Sequence, residues 1–238
     1  MAASVDKLNP HEIGVLLRGE LTPLATWTAQ WRAPRVALHV GVILAGAGLY
    51  GAAMGWWRDP QQALYVAIKF PLIILLTVMG NALLNGMLAP LLGLNIPFRQ
   101  SISAILMSFT IASAILGAFS PIIAFMVWNT PGTAAKPSAG SAYSFILLAH
   151  VAVIALAGVT GNIRLFQLLA RLAGNPAVAR LVMVAWLAGN LFLGSQLSWI
   201  LRPFIGSPAL PVEFLRATAF QGNFYEAVFH SLMTILNH

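Results

Sequence analysis

Two histidines, His39 and His150, lie in long uncharged stretches of this chain. Imidazole at such a place can ligate a metal ion or the magnesium of a chlorophyll-type pigment. No His-x-x-His spacing and no carboxylate–histidine pair reinforces that reading. Ser103, Ser108, Thr110, Ser113 and Ser144, with His150 as a base, offer the ingredients of an intramembrane hydrolase. Serines at helical spacing more commonly bond the preceding turn of their own helix. No Asp or Glu falls inside these stretches, which removes a carboxylate proton relay or dyad. A GxSxG elbow, an HExxH helix and a phosphate-cradling glycine loop are all missing. The expectation is a protein without catalytic, metal or cofactor residues, and therefore not an enzyme.

The richest polar set inside the apolar stretches is Asn81, Asn85, Asn190, Ser195, Gln196 and Ser198. Asn81 and Asn85 stand one turn apart on one helix face, and Ser195 and Ser198 are three apart on another. Polar groups in hydrocarbon seek one another, at about 1 kcal/mol or less per pair. They can cement two helices or line a hydrated path, and with no charge among them cement is the simpler role. Gly80-Asn81 and Gly189-Asn190 also form an internal echo, each followed by a proline-containing exit, Pro90 and Pro203. Inverted pairs of interrupted helices mark transporters.

The elements that must carry these residues follow from composition. Hydrophobic residues make up 59% of the 238 and charged residues 8%, against roughly a quarter charged in soluble domains. So few charges cannot cover a water-exposed surface, so the bilayer is the solvent for most of the chain. The net charge of +7 is dispersed between apolar runs, which suits anionic headgroups and not nucleic acid. Without cysteine there are no disulfides, thiolate sites or thiol catalysis. Asp6 and Glu12, with no early apolar core, argue against a cleavable signal peptide.

Taken in order, Asn9-Pro10-His11-Glu12 reads as a capped helix start, with Ile13, Leu16 and Leu17 on one face. Leu24, Trp27 and Trp31 continue at helical spacing, giving an interfacial amphipathic segment over 1–35. Five spans are predicted over 36–201: Val36–Trp57, the run Phe70–Phe98, the run Gln100–Trp128, Tyr143–Gly161 and Leu181–Leu201. Gly51 and Gly55 give the first a GxxxG face for helix packing. Trp56-Trp57-Arg58-Asp59-Pro60 reads as an aromatic belt and a helix stop, and the stretch through Lys136 to Gly140 as an exposed loop. Ile163–Ala173, with Arg164, Gln167 and Arg171 on one face, reads as a basic connector on the membrane surface. An N-terminus in the cytoplasm puts eight Lys and Arg inside and five outside, so the positive-inside rule favours N-in and C-out.

The last part, 202–238, opens with Arg202-Pro203 and the turn Gly206-Ser207-Pro208. An arginine at a span's end must snorkel or find a partner, here Glu213 or Glu226. Asn223 then caps a helix with Glu226 three residues on. Its apolar face holds Phe224, Tyr225, Val228, Phe229, Leu232, Ile235 and Leu236, and its polar face Glu226, His230, Thr234 and Asn237. A single acidic charge suits a protein contact better than a lipid surface.

Gly194–Pro208, Phe214-Leu215-Arg216 and Gly222–Val228, with Lys69-Phe70-Pro71-Leu72 before a long apolar run, resemble a family of uncharacterised bacterial five-span membrane proteins. Some of these carry an actin-binding label, but the basic Leu-Lys-Lys-Thr element behind such labels is absent here. The five-span, N-in plan is also similar in architecture to the Yip membrane-trafficking family, which implies scaffolding. The combined expectation is an all-α five-helix integral membrane bundle with interfacial terminal helices. It would sit in a bacterial inner membrane as a structural or interaction subunit, with the lipid bilayer and other membrane subunits or its own copies as partners. A small oligomeric channel or transporter, and a pigment- or metal-binding subunit using His39 and His150, are the rival readings.

Overall fold

A computed structural model describes residues 14–15, 21–131, 139–206 and 211–236. The expected helix start at Asn9–Glu12, most of the face it leads into, Lys136, Pro208 and Asn237 lie outside the described residues. The described residues form helices and no strands. They are α1 (Leu21–Ala29), α2 (Ala33–Trp56), α3 (Pro60–Leu91), α4 (Phe98–Trp128), α5 (Ala139–Ala173), α6 (Pro176–Leu201) and α7 (Phe224–Leu236). Five of them, α2 to α6, are long and apolar enough to cross a membrane. The chain is an integral membrane protein built as a five-helix bundle.

Two helix boundaries differ from the sequence reading by ten residues or more, each for a local reason, while α5 and α6 also start four and five residues early, at Ala139 and Pro176. Asp59-Pro60 ends nothing on its second side. The Asp59 carboxylate accepts the Gln61 amide at 2.7 Å and Pro60 occupies the first turn, so α3 starts there. The second span therefore gains ten residues ahead of Phe70, and Lys69 lies inside the helix. The fourth span likewise does not stop at Gly161. α5 runs unbroken to Ala173, and Asn162 donates to the Gly158 carbonyl at 2.8 Å instead of breaking the turn. Leu165, Leu168 and Leu169 are buried in the protein core, so Ile163–Ala173 continues the fourth helix and is not a connector lying on lipid. The polar side of the same segment holds Arg164, whose Nη1 donates to Gln167 Oε1 at 3.1 Å.

Glycines set the closest approaches. A Cβ on Gly51 would come within 2.5 Å of the Val66 carbonyl oxygen, and one on Gly55 within 2.6 Å of that of Gln62. The GxxxG face thus packs α2 on α3 within one chain. On its other side α2 meets α4 through Gly46, which faces the Ser113 backbone, and Gly117, whose Cβ would come 2.8 Å from the Gly46 Cα. α2, α3 and α4 form the tight centre. α5 leans on α4, where Gly161 meets the Ser108 backbone, and α6 leans on α3. The short α1 packs Ala25 and Trp27 against the core, and Arg35 lies 5.0 Å over the Trp27 ring, so Trp27 is held by protein, while Trp31 stays exposed.

Candidate functional site

Three polar constellations lie in the bundle. The first gathers where α6 ends and the chain folds back over α3. Lys69 is fully buried, and its Nζ donates to the carbonyls of Pro203 at 3.2 Å and Glu213 at 3.4 Å. The same ammonium sits 5.0 Å from the Phe214 ring centroid and 5.9 Å from that of Tyr65. Those rings meet edge to face, so the cation is wrapped by carbonyl dipoles and π faces. Two turns earlier on α3, buried Gln62 donates to the carbonyls of Pro203 at 3.0 Å and Phe204 at 2.7 Å. The sequence reading missed both residues. The available signal was the cap-and-proline pair Asp59-Pro60, which moves the helix start far enough back to enclose them.

Arg202 caps the end of α6 and precedes a cis peptide to Pro203. Its Nη1 donates to the Trp199 carbonyl at 2.6 Å, its Nη2 to the Thr218 carbonyl at 3.3 Å, and its guanidinium stacks 3.6 Å from the Trp199 ring centroid. Carbonyls and a ring hold it, where Glu213 or Glu226 was expected. Partial dehydration, and then the charge of Arg216, lower its pKa from the usual arginine value. Gly206 has φ +84 and Arg58 packs at 2.9 Å from where its Cβ would stand, so only glycine fits the turn.

The second constellation joins α3 to α6. Asn81 Nδ2 donates to Asn190 Oδ1 and, at 3.3 Å, to the Trp186 carbonyl. The two Gly-Asn pairs of the internal echo thus face each other. A Cβ on Gly189 would stand 2.5 Å from Asn81 Oδ1, and one on Gly80 would stand 3.0 Å from Leu193 Cδ1. Thr77, Asn81 and Asn85 follow one another at successive turns of α3, all buried. Thr77 Oγ1 and both polar atoms of Asn85 have no hydrogen-bond partner among the described residues. The rest of the expected polar set disperses. Ser195 donates to the Leu191 carbonyl at 2.6 Å, Ser198 lines a lateral cavity, and Gln196 makes no hydrogen bond among the described residues.

The third consists of the histidines, which lie apart. His39 Nδ1 is 2.9 Å from Thr110 Oγ1, whose own proton goes to the Leu106 carbonyl at 2.8 Å, so the imidazole donates. His150 Nδ1 is 2.9 Å from the Tyr50 hydroxyl, and its Nε2 is buried without a partner. Tyr50 stands 11 residues along α2 from His39, about 16 Å at the helical rise, so one ion cannot bind both rings. No three His, Cys, Asp or Glu side chains gather among the described residues.

At the C-terminal end, Asn223 Oδ1 accepts the Glu226 amide at 2.9 Å and opens α7. Since Ser195 has given its proton to α6, the Tyr225 hydroxyl donates to Ser195 Oγ at 2.9 Å, and its ring stacks on Phe192 at 5.8 Å. α7 is thereby docked on α6 by its first turn, while Val228 and Phe229 further along remain largely exposed.

The chain matches no family model, no curated protein and no solved structure.

Proposed function

We propose that this protein is a non-enzymatic structural or interaction subunit of a bacterial membrane complex, lying in the inner membrane with its N-terminus cytoplasmic and its C-terminus outside. One observation carries the reading. The hydrogen bonds made by Lys69, Gln62, Asn81 and the two histidines run to the chain's own elements, while α5, α6 and α7 keep wide apolar faces. Lys69 and Gln62 hold backbone carbonyls, Asn81 holds Asn190, and both histidines are tied to hydroxyls. Phe192 on α6, Val151 on α5 and Phe229 on α7 are each more than half exposed. Likeness of plan to the Yip family points the same way.

Deleting 223–238 tests it. The truncated protein should insert normally and lose its co-purifying partners or its oligomer in gentle detergent. Unchanged assembly would sink the idea. Orientation is tested on the cysteine-free background: Lys136→Cys should label from outside intact cells and Gln167→Cys should not.

A second reading, a small oligomeric channel or transporter with a path between the second and fifth spans, is favoured by Thr77, Asn81 and Asn85 at successive turns. The close seating of Gly189 on Asn81 weighs against it, because it leaves no room for water there. Ion flux in proteoliposomes, lost in Asn85→Leu, would establish it.

A further inference from the structure

α5 and α6 lean on different helices of the centre, and a cavity of about 280 Å³ lies between them, floored by α3 and α4. Its walls are mainly apolar, with Phe70, Ile73, Phe109, Ile154 and Leu191 among them, and no Lys, Arg, Asp or Glu among the described residues lines it. A cavity of about 150 Å³ already accommodates a benzene ring when its walls are apolar. This one admits a ring or a folded stretch of chain.

Thr77, Ser108, Asn162, Asn190 and Ser198 are its polar wall residues, and two of them, Thr77 and Asn190, set its chemistry. Thr77 is 3% exposed, and its Oγ1 has no partner among the described residues. That hydroxyl faces Gly194, another wall residue, whose absent Cβ would stand 3.8 Å away. Asn190 lines the same cavity with its Oδ1 engaged by Asn81, which leaves its amide hydrogens for a ligand. A buried donor in an apolar cleft is satisfied by a carbonyl oxygen, and the lack of a wall charge selects an uncharged molecule. Depth narrows it further. Thr77 lies 17 residues into the 32 of α3, near the bilayer middle, about 15 Å below the level of glycerolipid esters.

We propose that this cavity binds one molecule of an uncharged, lipid-soluble amphiphile, a long apolar chain bearing a carbonyl, with the carbonyl on Thr77 and the chain running out between α5 and α6. Quinones and neutral fatty esters share that chemistry. The site stands on the cavity itself and is independent of whether the protein is a subunit of a larger complex.

The test uses the full chain in nanodiscs of dioleoylphosphatidylcholine. The probe is methyl cis-parinarate, a neutral fluorescent fatty ester, beside a conjugated polyene hydrocarbon of equal length without the ester. Gly158 lines the cavity and has no atom within 4 Å of its Cβ position, so Gly158→Leu fills the space without displacing backbone. Thr77→Val keeps the shape and removes the hydroxyl. One ester should bind per protein, about ten-fold more weakly in Gly158→Leu, the cost of two displaced methylenes. Thr77→Val should weaken the ester about five-fold, the value of one hydrogen bond, and leave the hydrocarbon unchanged. Competition by decylubiquinone against methyl oleate then assigns the source, quinone or ester, whichever displaces the probe at lower concentration. Unsaturable uptake, alike in wild type and both variants, overturns the site. Equal loss of ester and hydrocarbon in Thr77→Val overturns the carbonyl contact. If Gly158→Leu does not fold, the Thr77→Val comparison decides alone.

Discussion

The first three spans and the last two draw on the same apolar alphabet, yet they bury different shares of their most hydrophobic stretches. The figures are 39, 44 and 50% for α2, α3 and α4, against 22 and 17% for α5 and α6. The centre is held by backbone approaching backbone at Gly46, Gly51, Gly55 and Gly117. On the flank, α6 is held by side chains, through the Asn81–Asn190 pair and the Lys69 and Gln62 bonds to its end, while α5 has one close backbone contact at Gly161. Without a hydrophobic force between helices in lipid, close packing and hydrogen bonds are the available means of association. This chain uses them in different places. Glycine contacts close the centre, while the side-chain bonds of the flank leave a cavity beside them.

The sharpest way to break the contrast is to add a methyl group to each half. Gly51→Ala should cost about 3 kcal/mol, because the new methyl meets the Val66 carbonyl and not a flexible side chain. Thermal unfolding in mild detergent, followed by tryptophan fluorescence, should show most of the protein unfolded or aggregated. Gly158→Ala on the flank should stay within about 0.5 kcal/mol of wild type. Equal sensitivity at the two positions would erase the distinction.

Lys69→Ala ranks next, at about 2 kcal/mol, because it takes a charged donor from two carbonyls and empties a ring cage. Lys69→Arg should recover part of the loss. The readout is local: a cysteine placed at Ile205, buried in wild type, should become reactive to maleimide in Lys69→Ala.

Much of this contrast is legible in the sequence, and the missing parts have physical causes. Gly51 and Gly55 announce their face because both members lie on one helix. Gly46 and Gly117 do not, because each needs the other helix to have a meaning. The amides at Asn81 and Asn190 identify the seam between the second and fifth spans, since polar groups in hydrocarbon must meet something. Lys69 is hidden by a habit of reading charge as the border of a span. Its ammonium is served by carbonyls more than a hundred residues away, which no local pattern records. The continuation of α5 is hidden likewise, because a leucine face beside arginines reads the same whether it meets lipid or protein.

Asn81→Ala should cost about 1 kcal/mol, near the middle of the range for hydrogen bonds between membrane helices. A double-mutant cycle with Asn190→Ala should return most of that as coupling energy. Additive losses would mean that the two amides are neighbours without a bond. The smallest effect is expected at the docking of α7. Tyr225→Phe removes one hydroxyl at an exposed contact and should cost at most about 0.5 kcal/mol. Proteolysis after α6 should nevertheless quicken, since the helix then loses one of its ties to α6.

The bond from Lys69 to Pro203 also has a meaning in time. The two residues are separated by 134 positions, and translation proceeds from the N-terminus at roughly 5–20 residues per second. For several seconds after α3 enters the bilayer, its ammonium has only water or headgroups to serve it. The carbonyls that satisfy it arrive with the end of the fifth span. A chain that stops early carries an unserved cation in its second span, and the finished chain does not. Arrival of the fifth span's end is thus recorded at a single buried nitrogen.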